Sequence, residues 1–350
     1  MPGVRRQQGR LRKELGLSPE GRVRGRLAEL ALHAGFHRAG FVDPGLAAAH
    51  RVPPDASGLE WDWITAPYRW SRSASILVCC LSCHRSEPDD LSTPGDPHAL
   101  VAPFARAHYY RQAVRMLDGV VRQLERETGI PRLSVRRFSN SRLPEKPLLV
   151  AAGLAAYGKN GCTIVPGLGS LFVIAGAVIP IPSPAAPTSA PADDPCGSCR
   201  LCRGACPVSA IDEPYVVRRD RCLQAMASML RELPAPVMEA WGARLYGCQA
   251  CQACCPHNAR LGVEALPAVG EIGPSVPLRG LLSEDEGERR MRFRGTALGM
   301  SWVPPDALLR NALVAAGNRG DPSIREEAGR HLAHPAEAVR VAARWALERL

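Results

Sequence analysis

The stretch Cys196-Gly-Ser-Cys199-Arg-Leu-Cys202-Arg-Gly-Ala-Cys206-Pro207 decides how this chain is read. Its spacing, C-x2-C-x2-C-x3-C-P, is the ferredoxin-type run that holds [4Fe–4S] clusters. Three thiolates on one tight loop reach three corners of a cube. Small residues between them let backbone N–H groups point at the sulfides. The fourth cysteine points away and, where two clusters are present, ligates the other one. A second run follows, Cys248-Gln-Ala-Cys251-Gln-Ala-Cys254-Cys255-Pro256. It reads as C-x2-C-x3-C-P through Cys255 or as C-x2-C-x2-C through Cys254. Cys222 stands alone between the runs. One cluster is expected to take Cys196, Cys199, Cys202 and Cys255. The other is expected to take Cys206, Cys222, Cys248 and Cys251, which leaves Cys254 spare. Pairs of the C-x2-C type also hold zinc. The C-P endings and the crossed set of eight ligands favour iron–sulfur.

Nine of the 13 cysteines fall between Cys196 and Cys255. A secreted disulfide scaffold would be short and would carry a signal peptide. Here the chain opens MPGVRRQQGRLRKELG, with no apolar segment behind its charges, so the expected compartment is the cytoplasm. Clustered cysteines in a reducing compartment bind metal. Cys79, Cys80, Cys83 and Cys162 lack ligand spacing, and the first three read as small buried hydrophobes. With 46% hydrophobic and 22% charged residues over 350 positions, the chain is globular, of about two domains. No apolar run is long enough to cross a membrane. The net charge of +10 suits an anionic partner such as nucleic acid, or simply an Arg-rich composition.

The flanking pattern divides the chain. Residues 1–26 form a basic arm. Residues 27–182 alternate helix and strand signals. LAELALHAGF reads as a helix stopped at Gly35, and Ala39–Val42 as a strand. SASILVCCLS (73–82) reads as a buried strand, and residues 84–98 as a surface loop. A helix follows Ala105, with Val114, Leu117, Val120, Val121 and Leu124 at helical spacing. LSVRRFS (133–139) reads as a strand, PLLVAAGLAAYG (147–158) as a helix, and GSLFVIAGAVI (169–179) as a strand pair or one long strand. Residues 183–195 are a Pro/Ala-rich linker, 196–262 the double-cluster module, and 263–304 a polar connection poor in order signals. Residues 305–350 carry two helical patterns that look like a HEAT-type repeat, too small to bury a core alone. The expected fold class is therefore an α/β domain, a ferredoxin-like two-cluster module and a HEAT-like helical end.

From residue 27 onward the chain resembles the epoxyqueuosine reductase family, relatives of the reductive dehalogenases. VAPFARAHYYRQAVRML (101–117) is similar to the family's Tyr-Ala-Arg-Gly segment and its Asp-Tyr-His. AGLAAYGKNGCTIVPGLGSLFVIAGAVIPIP (152–182) resembles its Gly-Lys-Asn stretch. YGCQACQACCPHN (246–258) and RNALVAAGNRGDP (310–322) resemble its second cysteine run and its C-terminus. The resemblance implies a monomeric reductase of epoxyqueuosine in tRNA. A low-potential donor, such as ferredoxin or flavodoxin, would feed two [4Fe–4S] clusters and then cobalamin held base-off. It implies that Gly158, Lys159, Asn160, Arg106 and Ser139 lie at the cobalamin. No Asp-x-His-x-x-Gly run supplies a histidine ligand to cobalt.

One motif departs from that family. Where its pattern reads Asp-Thr-Ala/Gly-Pro-Val-Leu-Glu-Arg/Lys, this chain reads Ser139-Asn140-Ser141-Arg142-Leu143-Pro144-Glu145-Lys146. Ser139 falls on the proton-donating aspartate, and neither Ser139 nor Asn140 is a carboxylic acid. Two readings remain open. The chain keeps the family reaction with a proton from Glu145, Tyr109, His108 or water. Alternatively, it is a paralogue with another substrate, or an electron-transfer protein that activates a corrinoid. If the lost acid is the only block, Ser139→Asp raises epoxide reduction.

Overall fold

The computed structural model describes residues 18–42, 74–182, 194–259 and 261–350. Most of the expected N-terminal arm, Trp61, Trp63, Trp70 and most of the Pro/Ala linker lie outside the described residues.

Helix α1 (Pro19–His33) begins eight residues before Leu27, inside the expected arm. Ser18 caps it, its hydroxyl accepting the Gly21 N–H at 3.1 Å, and Pro19 suits the first helical position. The chain leaves α1 through Gly35 at φ +104° and enters β1 (Arg38–Val42). Strands β2 (Ser75–Ser82), β4 (Arg136–Ser139) and β7 (Phe172–Ile179) complete an antiparallel sheet in the order β1-β2-β7-β4. The long apolar run of β2 has a simple cause: both faces of the sheet are covered. Leu77, Cys79 and Leu81 pack towards α1 and α2 (Tyr109–Thr128). Ile76, Val78 and Cys80 pack towards α3 (Glu145–Ala151). GSLFVIAGAVI is a single strand, centred on Gly176. A Cβ there would lie 2.2 Å from Leu77 O, so the close strand approach requires glycine.

The stretch 147–158 is not one helix. It breaks at Gly153 (φ +70°) and turns into a hairpin of β5 (Ala156–Tyr157) and β6 (Thr163–Ile164). Gly158-Lys159-Asn160-Gly161 forms its tip.

A second core joins segments the sequence assigned to different domains. β3 (His98–Val101), which begins on the last residue of the expected 84–98 loop, pairs parallel with β8 (Arg244–Tyr246) and antiparallel with β9 (Ser275–Pro277). The stretch 263–304 is ordered, with helices α8 (Leu278–Ser283) and α9 (Glu286–Arg292). Four short helices precede them: α4 (Leu201–Gly204), α5 (Leu223–Met226), α6 (Ala235–Trp241) and α7 (Ala250–Ala253). α10 (Pro305–Arg319) is buried along most of its length, with α11 (Arg325–Gly329) and α12 (Glu337–Leu347) beside it. Among the described residues, no helix is long and apolar enough to cross a membrane.

Candidate metal centre and active-site cavity

The two cysteine loops share one local design. Cys199-Arg-Leu-Cys202-Arg-Gly-Ala-Cys206-Pro207 superposes in pattern on Cys248-Gln-Ala-Cys251-Gln-Ala-Cys254-Cys255-Pro256. Each C-x2-C pair leads into a four-residue helix, α4 or α7, that carries its second cysteine, and each helix is capped by an αR residue, Ala205 or Cys254. Cys254 thus occupies the position of an alanine, and its thiol lies 3.7 Å from Cys251 O. Cys255 occupies the position of Cys206.

The loops lie side by side and cross. Cys196, Cys199, Cys202 and Cys255 line one small cavity, together with Lys159, Asn160 and His257. Burial and the neighbouring thiols raise Cys202 and Cys255. The other set, Cys206, Cys222, Cys248 and Cys251, lines a far larger cavity of about 1000 Å³. Among the described residues, no three His, Cys, Asp or Glu side chains converge on a single ion position. The donor chemistry, four thiolates around each of two spaces, fits two cubanes, in which each thiolate takes its own iron. Amides already aim at sulfur: Lys159 N lies 3.4 Å from Cys196 Sγ, and Ala210 N lies 3.2 Å from Cys206 Sγ.

The hairpin tip sews the loops together. Lys159 donates its ammonium protons to the carbonyls of Gly197 and Cys199. Asn160, buried, donates to Cys251 O at 3.1 Å and accepts from Cys162 N at 3.1 Å. A Cβ on Gly158 would meet Ile164 at 2.8 Å. Lys159 therefore faces the smaller cavity, and Asn160 touches both. A polar knot anchors the second loop. Gln252 donates to Ser170 O at 2.9 Å, and Asn258 donates to Ser170 Oγ at 2.9 Å and accepts from Ser170 N at 2.8 Å.

The large cavity runs from the second cysteine set to an open mouth. Phe172 and Ile174 of β7, Phe104, Tyr110 and Tyr246 form apolar walls. Met229 and Trp302, both exposed, stand at its rim. Its size is at the upper end for a ligand pocket. Asn140, in the left-handed region at φ +49°, lines it. Ser139 does not. Its hydroxyl donates to Ile174 O at 2.7 Å, within the sheet. Arg106, expected at the cofactor from the resemblance, does not line this cavity either. Its buried guanidinium donates to Val101 O and pairs with Asp89 and Glu87, tying down the 84–98 loop. Glu145, half-buried, lines the cavity, and its carboxylate accepts from Ser141 N at 2.8 Å. Burial lifts its carboxyl to about 7.

Two features carry no signal of spacing. Cys162 meets Cys251 at the cavity wall. Arg310 and Asn311 of α10 are fully buried under the second cysteine set. Asn311 donates to Ala227 O and Leu245 O, both at 2.9 Å, and Arg310 donates to Met226 O at 3.0 Å while stacking over Trp241. They fix the segments that carry Cys222 and Cys248. Cys79, Cys80 and Cys83 are buried, and burial raises each thiol, Cys83 to about 12.

Known proteins share this arrangement. Residues 195–258 match the sequence family described as a 4Fe-4S double cluster binding domain. An epoxyqueuosine reductase of Vibrio cholerae is 30% identical over 341 residues, covering 92% of this chain and 90% of that protein. One from Burkholderia pseudomallei is 34% identical over 215 residues, which span 59% of this chain and 46% of that protein. The fold matches the crystal structure of an epoxyqueuosine reductase with a tRNA-Tyr epoxyqueuosine-modified stem loop. There the TM-score is 0.74 at 22% identity, over 94% of this chain and 90% of that one. An α/β layer closed over a double-cluster module, matched along nine-tenths of a relative at 30% identity, places this chain in the epoxyqueuosine reductase family of oxidoreductases.

Proposed function

We propose that this protein removes the epoxide oxygen of epoxyqueuosine in tRNA, leaving an alkene and water. The balance requires two electrons and two protons. The observation that carries the reading is the position of Cys206, Cys222, Cys248 and Cys251 at the inner wall of the large cavity. Electrons entering at the Cys196 set would reach the Cys206 set next, and the cavity after it. The name of the relative solved with a modified tRNA stem loop supports tRNA as the substrate, as does the net charge of +10.

The cavity's size and apolar walls fit cobalamin, which when bound supplies the low-potential metal that works on the epoxide. Asn140, Asn160 and the backbone around Gly161 would hold it. Gly158 and Lys159 support that wall from behind. On this reading, residues 27–182 are the cobalamin-binding domain and residues 305–350 a HEAT-like repeat. The protein works as a cytoplasmic monomer fed by ferredoxin or flavodoxin. Lys159 keeps the first cluster loop closed, and the Ser170–Gln252–Asn258 knot holds the second loop against the cavity.

The test is anaerobic turnover of epoxyqueuosine-containing tRNA by iron-loaded protein with cobalamin and a low-potential donor. Queuosine formation is expected. No product from protein holding both clusters and cobalamin overturns the reading in favour of a paralogue or a corrinoid-activating protein, which would need no proton donor.

A further inference from the structure

We propose that Glu145 is the proton donor of this chain's reaction, standing in for the carboxylic acid missing at Ser139. The assignment rests on the reductase reading above and names the acid of that same site.

The sequence offers three side chains for this role, Glu145, Tyr109 and His108, and their placement separates them. Ser139 spends its hydroxyl on Ile174 O and does not line the cavity. His108 caps α2, its Nδ1 accepting the Arg111 N–H at 3.3 Å, and burial lowers its pKa, so the ring is neutral. The Tyr109 hydroxyl is buried beside Arg85, away from the cavity. Glu145 is the sole carboxylic acid among the described residues that line the cavity. The other oxygen acids there are phenols. Desolvation raises Tyr110 and Tyr246, and raises Tyr157 to about 12. A general acid works best with a pKa near the working pH, which these phenols miss.

Local geometry keeps Glu145 in place. It is the first residue of α3 and reaches back over the 139–144 loop, where the amides of Ser141 and Asn140 hold the carboxyl. From α2 it faces Tyr110. Lys146, next on the same helix, lines the same cavity, where its ammonium donates to Gly161 O at 2.8 Å. β7 presents only Phe172 and Ile174 to this part of the cavity. Desolvation outweighs the hydrogen bonds from Ser141 and Asn140, and the carboxyl holds its proton up to about pH 7.

The step balances. The O–H bond of Glu145 breaks as its proton passes to the epoxide oxygen and a ring C–O bond opens. Two electrons come from the external low-potential donor. A second proton comes from solvent at the open mouth, the oxygen leaves as water, and solvent reprotonates the carboxylate.

The experiment compares wild type, Glu145→Gln and Glu145→Asp as full chains carrying both clusters and cobalamin. Gln keeps an acceptor for Ser141 N but carries no acidic proton. Turnover of Glu145→Gln is expected to fall by about 10²–10⁴-fold, with cluster and cobalamin content unchanged. Glu145→Asp retains part of the rate. The wild-type rate falls as pH rises through about 7, and that limb is absent in the Gln variant. A second readout is independent of activity: the infrared band of a protonated carboxyl, titrating near neutrality in wild type and missing from Glu145→Gln. Normal turnover by Glu145→Gln overturns the proposal. So does the absence of the titrating band, whether or not queuosine forms. If wild type makes no queuosine, the substrate reading fails, while the band and its loss in the variant still support Glu145 as the cavity acid.

Discussion

The two cysteine sets are built from the same loop and meet different surroundings. Around Cys196, Cys199, Cys202 and Cys255, the walls close in: Lys159, Asn160, His257 and Ile164 leave only a small space. Around Cys206, Cys222, Cys248 and Cys251, one side opens into about 1000 Å³ of cavity. The loops supply thiolates and amides in both cases. The difference comes from what packs against them. The β5–β6 hairpin seals one set, and β7, α3 and the 297–302 segment stand back from the other. On the proposed reading, one loop pattern would serve as a relay on the closed side and as a delivery point on the open side.

The largest test of this comparison removes a ligand. Cys255→Ser should cost the first cluster, read as a fall in iron content and in the reduced-cluster spin signal. Cys254→Ser should leave both clusters intact, because Cys254 sits where the first loop has Ala205. The reverse result would put the second run in the other register. The next effect concerns the scaffold of the open set. Asn311→Ala leaves the carbonyls of Ala227 and Leu245 unpaired in the core. Each orphaned carbonyl costs ~1–3 kcal/mol. A loss of about 3 kcal/mol in denaturant unfolding is expected, together with weaker retention of the cluster on Cys222. An unchanged midpoint would show that α10 does not support that set.

A smaller effect should sharpen the closed side. Lys159→Met removes the ammonium that holds Gly197 O and Cys199 O. About 1.5 kcal/mol of stability is expected to go. The potential of the first cluster should fall more than that of the second, since a nearby cation favours the reduced state. Equal shifts at both clusters would refute the asymmetry. The smallest is Ser139→Asp. The hydroxyl that donates to Ile174 O becomes an acceptor facing an acceptor. A melt should show a loss of about 1 kcal/mol, with no gain in epoxide reduction. A gain would mean that position 139 can reach the reacting atoms after all, reversing the expectation drawn from its placement.

Some elements were readable before folding and others were not. The apolar period of α2 and the continuous run of β2 announce a helix and a doubly covered strand, because burial alone sets those patterns. β3 is four residues at the end of a polar loop, and its partners lie in distant segments. Its order comes from pairing that no local pattern records. α9 is mostly charged, and its one signal is the capping box of Asp285 and Glu288. The start of α1 was equally signalled by Ser18 and Pro19 and masked by the basic residues around them.

The sequence by itself determined the chemistry of the expected ligands: seven thiolates in two runs and a lone Cys222 between them, because cluster loops are local and their spacing is stored in adjacent residues. It also determined that Ser139 carries no acid. Tertiary structure decided the rest. Packing of β7, α3 and the second core sets which cluster site opens to the cavity, sends Arg106 to the 84–98 loop, and brings Glu145 to the wall. These outcomes depend on contacts between segments far apart in the chain. Desolvation by those segments, which no spacing encodes, makes the Glu145 carboxyl a neutral-pH acid.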